Sequence, residues 1–165
     1  MIIQITSLVF AGLLIAGALS DAWRYKIPNW LSGALLVPFI IAVILNFPGW
    51  GALGLHLATG IGALVLGMLI FAAGWWGGGD AKMFAAAAFM YGWPLGVSFL
   101  FYTALAGGGL VLVLIALRHT LPAFPALAKH TPGTALVQGA PVPYGIAIAI
   151  AGLLLMPQTG LLSTF

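Results

Sequence analysis

Long apolar runs, broken only by glycine, proline and a few charges, set the first constraint on this chain. Of its 165 residues, five are Lys or Arg and two are Asp or Glu, while 63% are hydrophobic. A soluble domain keeps roughly a quarter of its residues charged so that its surface stays wetted. A chain with 4% charged residues needs lipid around it instead. The mean hydropathy of +1.19 points the same way.

A spanning helix takes about 20 predominantly apolar residues. Read between the breakers, the chain offers six candidate spans, at 2–20, 30–45, 53–73, 82–91, 95–117 and 144–156. The fourth and sixth are short and gain length only by extending through flanking glycine and aromatic residues. The expected fold is all-α, a polytopic transmembrane helical bundle of about six spans, with residues 1–165 forming one integral membrane domain.

Charge placement orients these spans. Arg24 and Lys26 follow the first, Lys82 the third, and Arg118 and Lys129 the fifth, whereas the loops after the second and fourth carry no charge. All five basic residues fall on one side, which the positive-inside rule assigns to the cytoplasm. The N-terminus is therefore expected outside. A secretory signal places its positive residues before the apolar run, and here Arg24 and Lys26 come after it, so we expect a retained first span. The loop 118–143 holds five prolines and is expected at the cytoplasmic interface.

The chain has no cysteine, which excludes disulfides, thiolate metal sites and a thiol nucleophile. The sequence pI of about 9.6 reflects five scattered basic residues and forms no nucleic-acid-binding cluster. The histidines, His56, His119 and His130, stand alone and are expected to be solvated or interfacial. Trp23, Trp30, Trp50, Trp75, Trp76 and Trp93 all lie near span ends, where interfacial aromatic belts account for them. Gly60, Gly67 and Gly74 recur every seven residues, a small-residue stripe that lets helices pack closely.

Asp21 and Asp80 are the only acidic residues. The topology puts Asp21 at the cytoplasmic end of the first span and Asp80 at the cytoplasmic start of the fourth, so both lie at one membrane depth. Packing of these two spans would bring the carboxyls together. Two such groups in a low-dielectric setting tend to share one proton. The ionised partner can then take a proton from water while the protonated one donates to a scissile carbonyl. Two structural readings compete: Asp80 as a helix N-cap, and Asp21 as an interfacial partner of Arg24. Two carboxylates make a poor site for a hard cation, which wants about six oxygen ligands, so no metal and no cofactor is expected.

The segments SDAWRYKIPNW (20–30) and GGGDAKM (77–83) resemble the two signature regions of type IV prepilin peptidases, the second carrying a GxGD motif as Gly77-Gly78-Gly79-Asp80. The late Val142-Pro143-Tyr144-Gly145 is similar to the family's proline-containing entry to its last span. The resemblance implies an aspartic endopeptidase with Asp21 and Asp80 as the catalytic pair. It makes Gly77, Gly79 and Lys82 substrate-binding or site-shaping, with a snorkelling interfacial lysine as the plainer role for Lys82. It implies a prepilin or pseudopilin substrate, cut behind a short basic leader, a bacterial inner-membrane location, and a pilus assembly or secretion machinery as context. The absence of cysteine and of an N-terminal extension resembles the compact tight-adherence (Flp) branch, in which N-methylation is not expected. The alternatives from other classes are a proton-coupled transporter or channel using the two aspartates as relay groups, and a structural subunit of a secretion assembly.

Overall fold

The computed structural model describes residues 1–121 and 134–159. Among these, all regular structure is helical: α1 (Ile2–Arg24), α2 (Asn29–Ala34), α3 (Leu36–Leu45), α4 (Trp50–Ala72), α5 (Gly78–Tyr91), α6 (Leu95–Thr120) and α7 (Tyr144–Leu155), followed by a 3₁₀ turn, Met156–Gln158. The protein is a transmembrane helical bundle. α1, α4 and α6 are long and apolar enough to cross a bilayer, and α2–α3 and α7 are shorter apolar segments. At 1.5 Å per residue, the 23 residues of α1 reach about 34 Å.

The expected second span is a rod interrupted at Leu35. Pro38 explains the break, because it has no N–H to give to the carbonyl of Ala34 four residues earlier. α6 runs three residues beyond its expected end, to Thr120. Arg118 then ties this end to the next described segment, donating from Nε to Ala135 O (2.9 Å) and from Nη2 to Ala140 O (2.8 Å). Lys129 and His130 lie outside the described residues.

α5 is the hub. Its AKMFAAAAFM run has no polar face after Lys82, as suits a helix enclosed by protein or lipid. Ala81, Met83, Phe84, Ala87, Ala88 and Met90 are all essentially inaccessible. Its alanines let α4 lie close alongside, and the small-residue stripe of α4 answers them: Gly67 faces Ala81, and Gly60 faces the ring of Phe89. Gly74 belongs to the turn after α4, where its φ of +78° suits a residue without Cβ. On the other side α7 packs between α1 and α6. Leu14 of α1 meets Gly152 of α7, and Tyr144 of α7 meets Gly107 of α6. The outward faces stay apolar, with Leu69 63% and Leu112 69% exposed, as a lipid-facing surface requires.

Candidate active site

The last turn of α1 carries Asp21. Tyr25 ends that helix in the left-handed region (φ 52°, ψ 34°), its N–H donating to Asp21 O at 2.9 Å. Left-handed backbone is costly for a residue with a side chain, and here it turns the chain sharply into Lys26-Ile27-Pro28. Ser20 Oγ closes the same turn by donating to Lys26 O at 2.7 Å.

Asp80 is the third residue of α5. Its Oδ2 accepts the N–H of Gly77 at 3.0 Å, satisfying one of the donors that a helix start leaves free. The N-cap expectation is corrected: Gly77 is the cap, and Asp80, in the first turn of α5, reaches back to its N–H. Asp80 Oδ1 is buried and has no partner among the described residues.

Close approaches at three glycines frame the two acids. Gly79 lies against the α1–α2 turn, where a Cβ would stand 3.1 Å from Ile27 Cβ and 3.2 Å from Ile27 O. That contact presses the end of α1 onto the start of α5. At Gly77, a Cβ would sit 3.1 Å from Asp80 Oδ2. The start of α7 closes the third side, with the N–H of Gly145 donating to Asp21 Oδ2 at 2.8 Å in a buried contact. Asp21 and Asp80 line the same two cavities. α1 and α5 meet through side chains, with Met83 against Gly17 and Phe10 edge-on to Tyr91 at 6.2 Å.

Both carboxyls are buried, Asp21 at 5% and Asp80 at 6% exposure, yet both line solvent-sized space. A cavity of about 650 Å³ is walled by Asp21, Asp80, Tyr25, Trp76, Val142 and Tyr144 among others. A second, of about 310 Å³, shares Asp21, Tyr25, Gly77 and Asp80 and opens toward Lys26, Asn29 and Lys82. Among the described residues no group of three or more metal-ligating side chains is present. The described basic residues collect at this end: Lys26 and Lys82 line the smaller cavity, Arg24 precedes it, and Arg118 holds Ala140 of the larger one.

The model of the type IV leader peptidase family matches residues 8–112, a stretch that includes both aspartates and the GGGD turn. The chain belongs to the type IV leader peptidase family. No curated protein and no solved structure matches it. As a leader peptidase it carries part of its site beyond the matched stretch, with Val142, Tyr144 and Gly145 at the start of α7.

Lys82 of this leader peptidase does not reach the carboxyls. It is exposed, and its Nζ donates to Asn29 Oδ1 at 2.9 Å, linking α5 to α2. One sequence expectation changes. Trp76 is no belt residue: it packs on Phe84 at 5.3 Å and Tyr144 at 5.9 Å and lines the aspartate cavity. His56, half-buried, gains partners that the sequence did not show: its Nδ1 is 2.8 Å from Phe89 O and its ring lies against Phe39. Tyr25 and Gly145 are the site residues that sequence reasoning missed. The buried phenol oxygen of Tyr25 has no partner among the described residues. The only available signals were a tyrosine four positions after an acid and a glycine after Val-Pro-Tyr, neither of which specifies contact.

Proposed function

We propose that this leader peptidase is an aspartic endopeptidase that removes the N-terminal leader of prepilin-like proteins at the cytoplasmic face of the bacterial inner membrane. The observation that carries this reading is the meeting of the chain's only two carboxyls, both buried, on one cavity. The gathering of basic residues at the same end supports a cytoplasmic site and an outside N-terminus. The substrate class is a basic leader followed by an apolar helix, and the compact tight-adherence branch remains our assignment for the chain.

The chemistry needs no group beyond the pair. One shared proton makes one carboxyl a base and the other an acid. The base takes a proton from water as its oxygen bonds to the scissile carbonyl carbon, and the acid protonates the carbonyl oxygen. Collapse of the resulting gem-diol breaks the C–N bond, with a proton passing to the departing amine and another back to the pair. The Gly145 N–H orients Asp21 throughout. We assign the Tyr25 phenol, unpartnered among the described residues, as an additional donor to the oxygen that gains charge.

Asp21→Asn and Asp80→Asn test the pair. Asparagine keeps an oxygen for the Gly145 or Gly77 N–H, so both variants should accumulate in the membrane at normal level. Each should slow shortening of a co-expressed prepilin by about a thousandfold. Normal processing by either variant would exclude the dyad.

A further inference from the structure

The site does not account for an apolar groove further along α5. Its walls are α4 and α6 and its floor is α5, and it encloses about 290 Å³. α4 and α6 come together where Gly96 faces Thr59 and scarcely touch elsewhere. The groove is therefore pinned at the Thr59 end and unsealed along the rest of its length. Its lining is apolar, and the hydroxyl of Thr59 is already committed to Leu55 O at 2.8 Å.

We infer that this groove seats the apolar helix of the substrate, the segment that follows the scissile bond; the inference rests on the peptidase reading above. Continuity with the site is the main reason. Asp80, Phe84 and Ala88 follow one another at four-residue spacing on α5, which places them on one helix face. The first lines the aspartate cavity and the other two floor the groove. Between the two spaces stands Trp76, its ring against Phe84 and its other side in the aspartate cavity. A chain lying in the groove is thus directed past Trp76 onto the carboxyls.

The wall composition favours a helix over a lipid tail. On α4, Ala58 and Gly62 stand four residues apart along the groove, and small residues at that spacing let a second helix backbone approach. From Asp80 to Ala88 the groove side of α5 rises about 12 Å, two turns of a docked helix. This matches a substrate held with its leader at the cytoplasmic end and its apolar helix running outward.

The absence of cysteine makes the test clean. Gly62 has open space where a Cβ would be added, as does Gly12 on the exposed face of α1, away from the groove. A single cysteine is placed at either position in the Asp80→Asn protein. It is paired under oxidising conditions with a synthetic peptide bearing a basic leader and an apolar helix, its own cysteine walked along the first three turns. Gly62→Cys should give disulfides at peptide positions three or four apart, and Gly12→Cys none. In the cleavage-competent protein, Gly62→Leu should raise KM for a helix-bearing substrate about tenfold with kcat within about twofold, while Gly12→Leu matches wild type.

Equal cross-linking from Gly12→Cys, or none from Gly62→Cys, would overturn the groove assignment. So would a photoreactive phospholipid that labels the groove undiminished by excess peptide, since that result makes it a lipid seat. Failure of the dyad reads differently: Asp80→Asn would still cleave, and the cross-linking pattern would remain interpretable.

Discussion

The backbone N–H of Gly145 donates to Asp21 Oδ2 at 2.8 Å across 124 positions of sequence, joining the start of α7 to the end of α1. A Cβ at Gly145 would stand 2.9 Å from Asp21 Cβ, 3.0 Å from its Oδ2 and 3.1 Å from Ile27 Cδ1. Glycine is needed here for space, because any side chain displaces the carboxyl it holds. Gly145→Ala should lower kcat for leader removal by about 10- to 100-fold, the scale of an ångström-level misplacement, with the protein still inserted. Single-turnover cleavage of a prepilin, normalised to membrane-inserted protein, checks this; wild-type rates would show that Asp21 needs no such support.

Tyr25 offers a subtler probe. Its phenol oxygen is buried without a partner among the described residues, so Tyr25→Phe removes no hydrogen bond from the resting protein. As a donor to the developing oxyanion it should contribute to kcat alone. The expected loss is about 10- to 100-fold in kcat with KM nearly unchanged, below the full effect of a preorganised oxyanion donor. A change in KM with kcat preserved would instead make Tyr25 a substrate-packing residue.

Lys82 should prove dispensable for chemistry. Its ammonium is exposed and engaged with Asn29 Oδ1, and an exposed polar pair of this kind is worth at most about 1 kcal/mol. Lys82→Ala and Asn29→Ala should each leave prepilin cleavage within about threefold of wild type, given that small energy. A loss beyond tenfold in Lys82→Ala alone would bring the lysine back into the site.

Tyr91 separates stability from activity. It is buried at the interface of α5 and α7, where its hydroxyl donates to Gly152 O at 2.7 Å. That carbonyl also accepts the Met156 N–H, so Tyr91→Phe does not strand it. The variant should lose about 1 kcal/mol of stability, the net value of one buried hydrogen bond, measured by denaturant titration in detergent. Its cleavage rate should be unchanged; a rate that falls with stability intact would mean that the α5–α7 contact positions the site.

The helices themselves were legible in the chain. Apolar runs cut by Gly, Pro and charge located each one, with ends within a few residues, because a segment in lipid must satisfy its backbone internally. Pro38 was visible too, but its consequence at Leu35 depends on a helix being present for it to interrupt. Asp21 and Asp80 stood out by scarcity, since an acid in an apolar chain is costly unless it has a use.

Only the tertiary structure decided how those acids meet. The site is framed by backbone approaches at Gly77, Gly79 and Gly145, and a glycine in a chain with 23 of them gives no sign of what it faces. The roles of Trp76, His56 and Lys82 were likewise open, because an amphipathic side chain near a span end suits lipid, solvent or a neighbour equally well. Composition and periodicity determine that segments enter the membrane and how long they are. Which faces then touch follows from packing between segments far apart in sequence, and that brings two carboxyls onto one cavity.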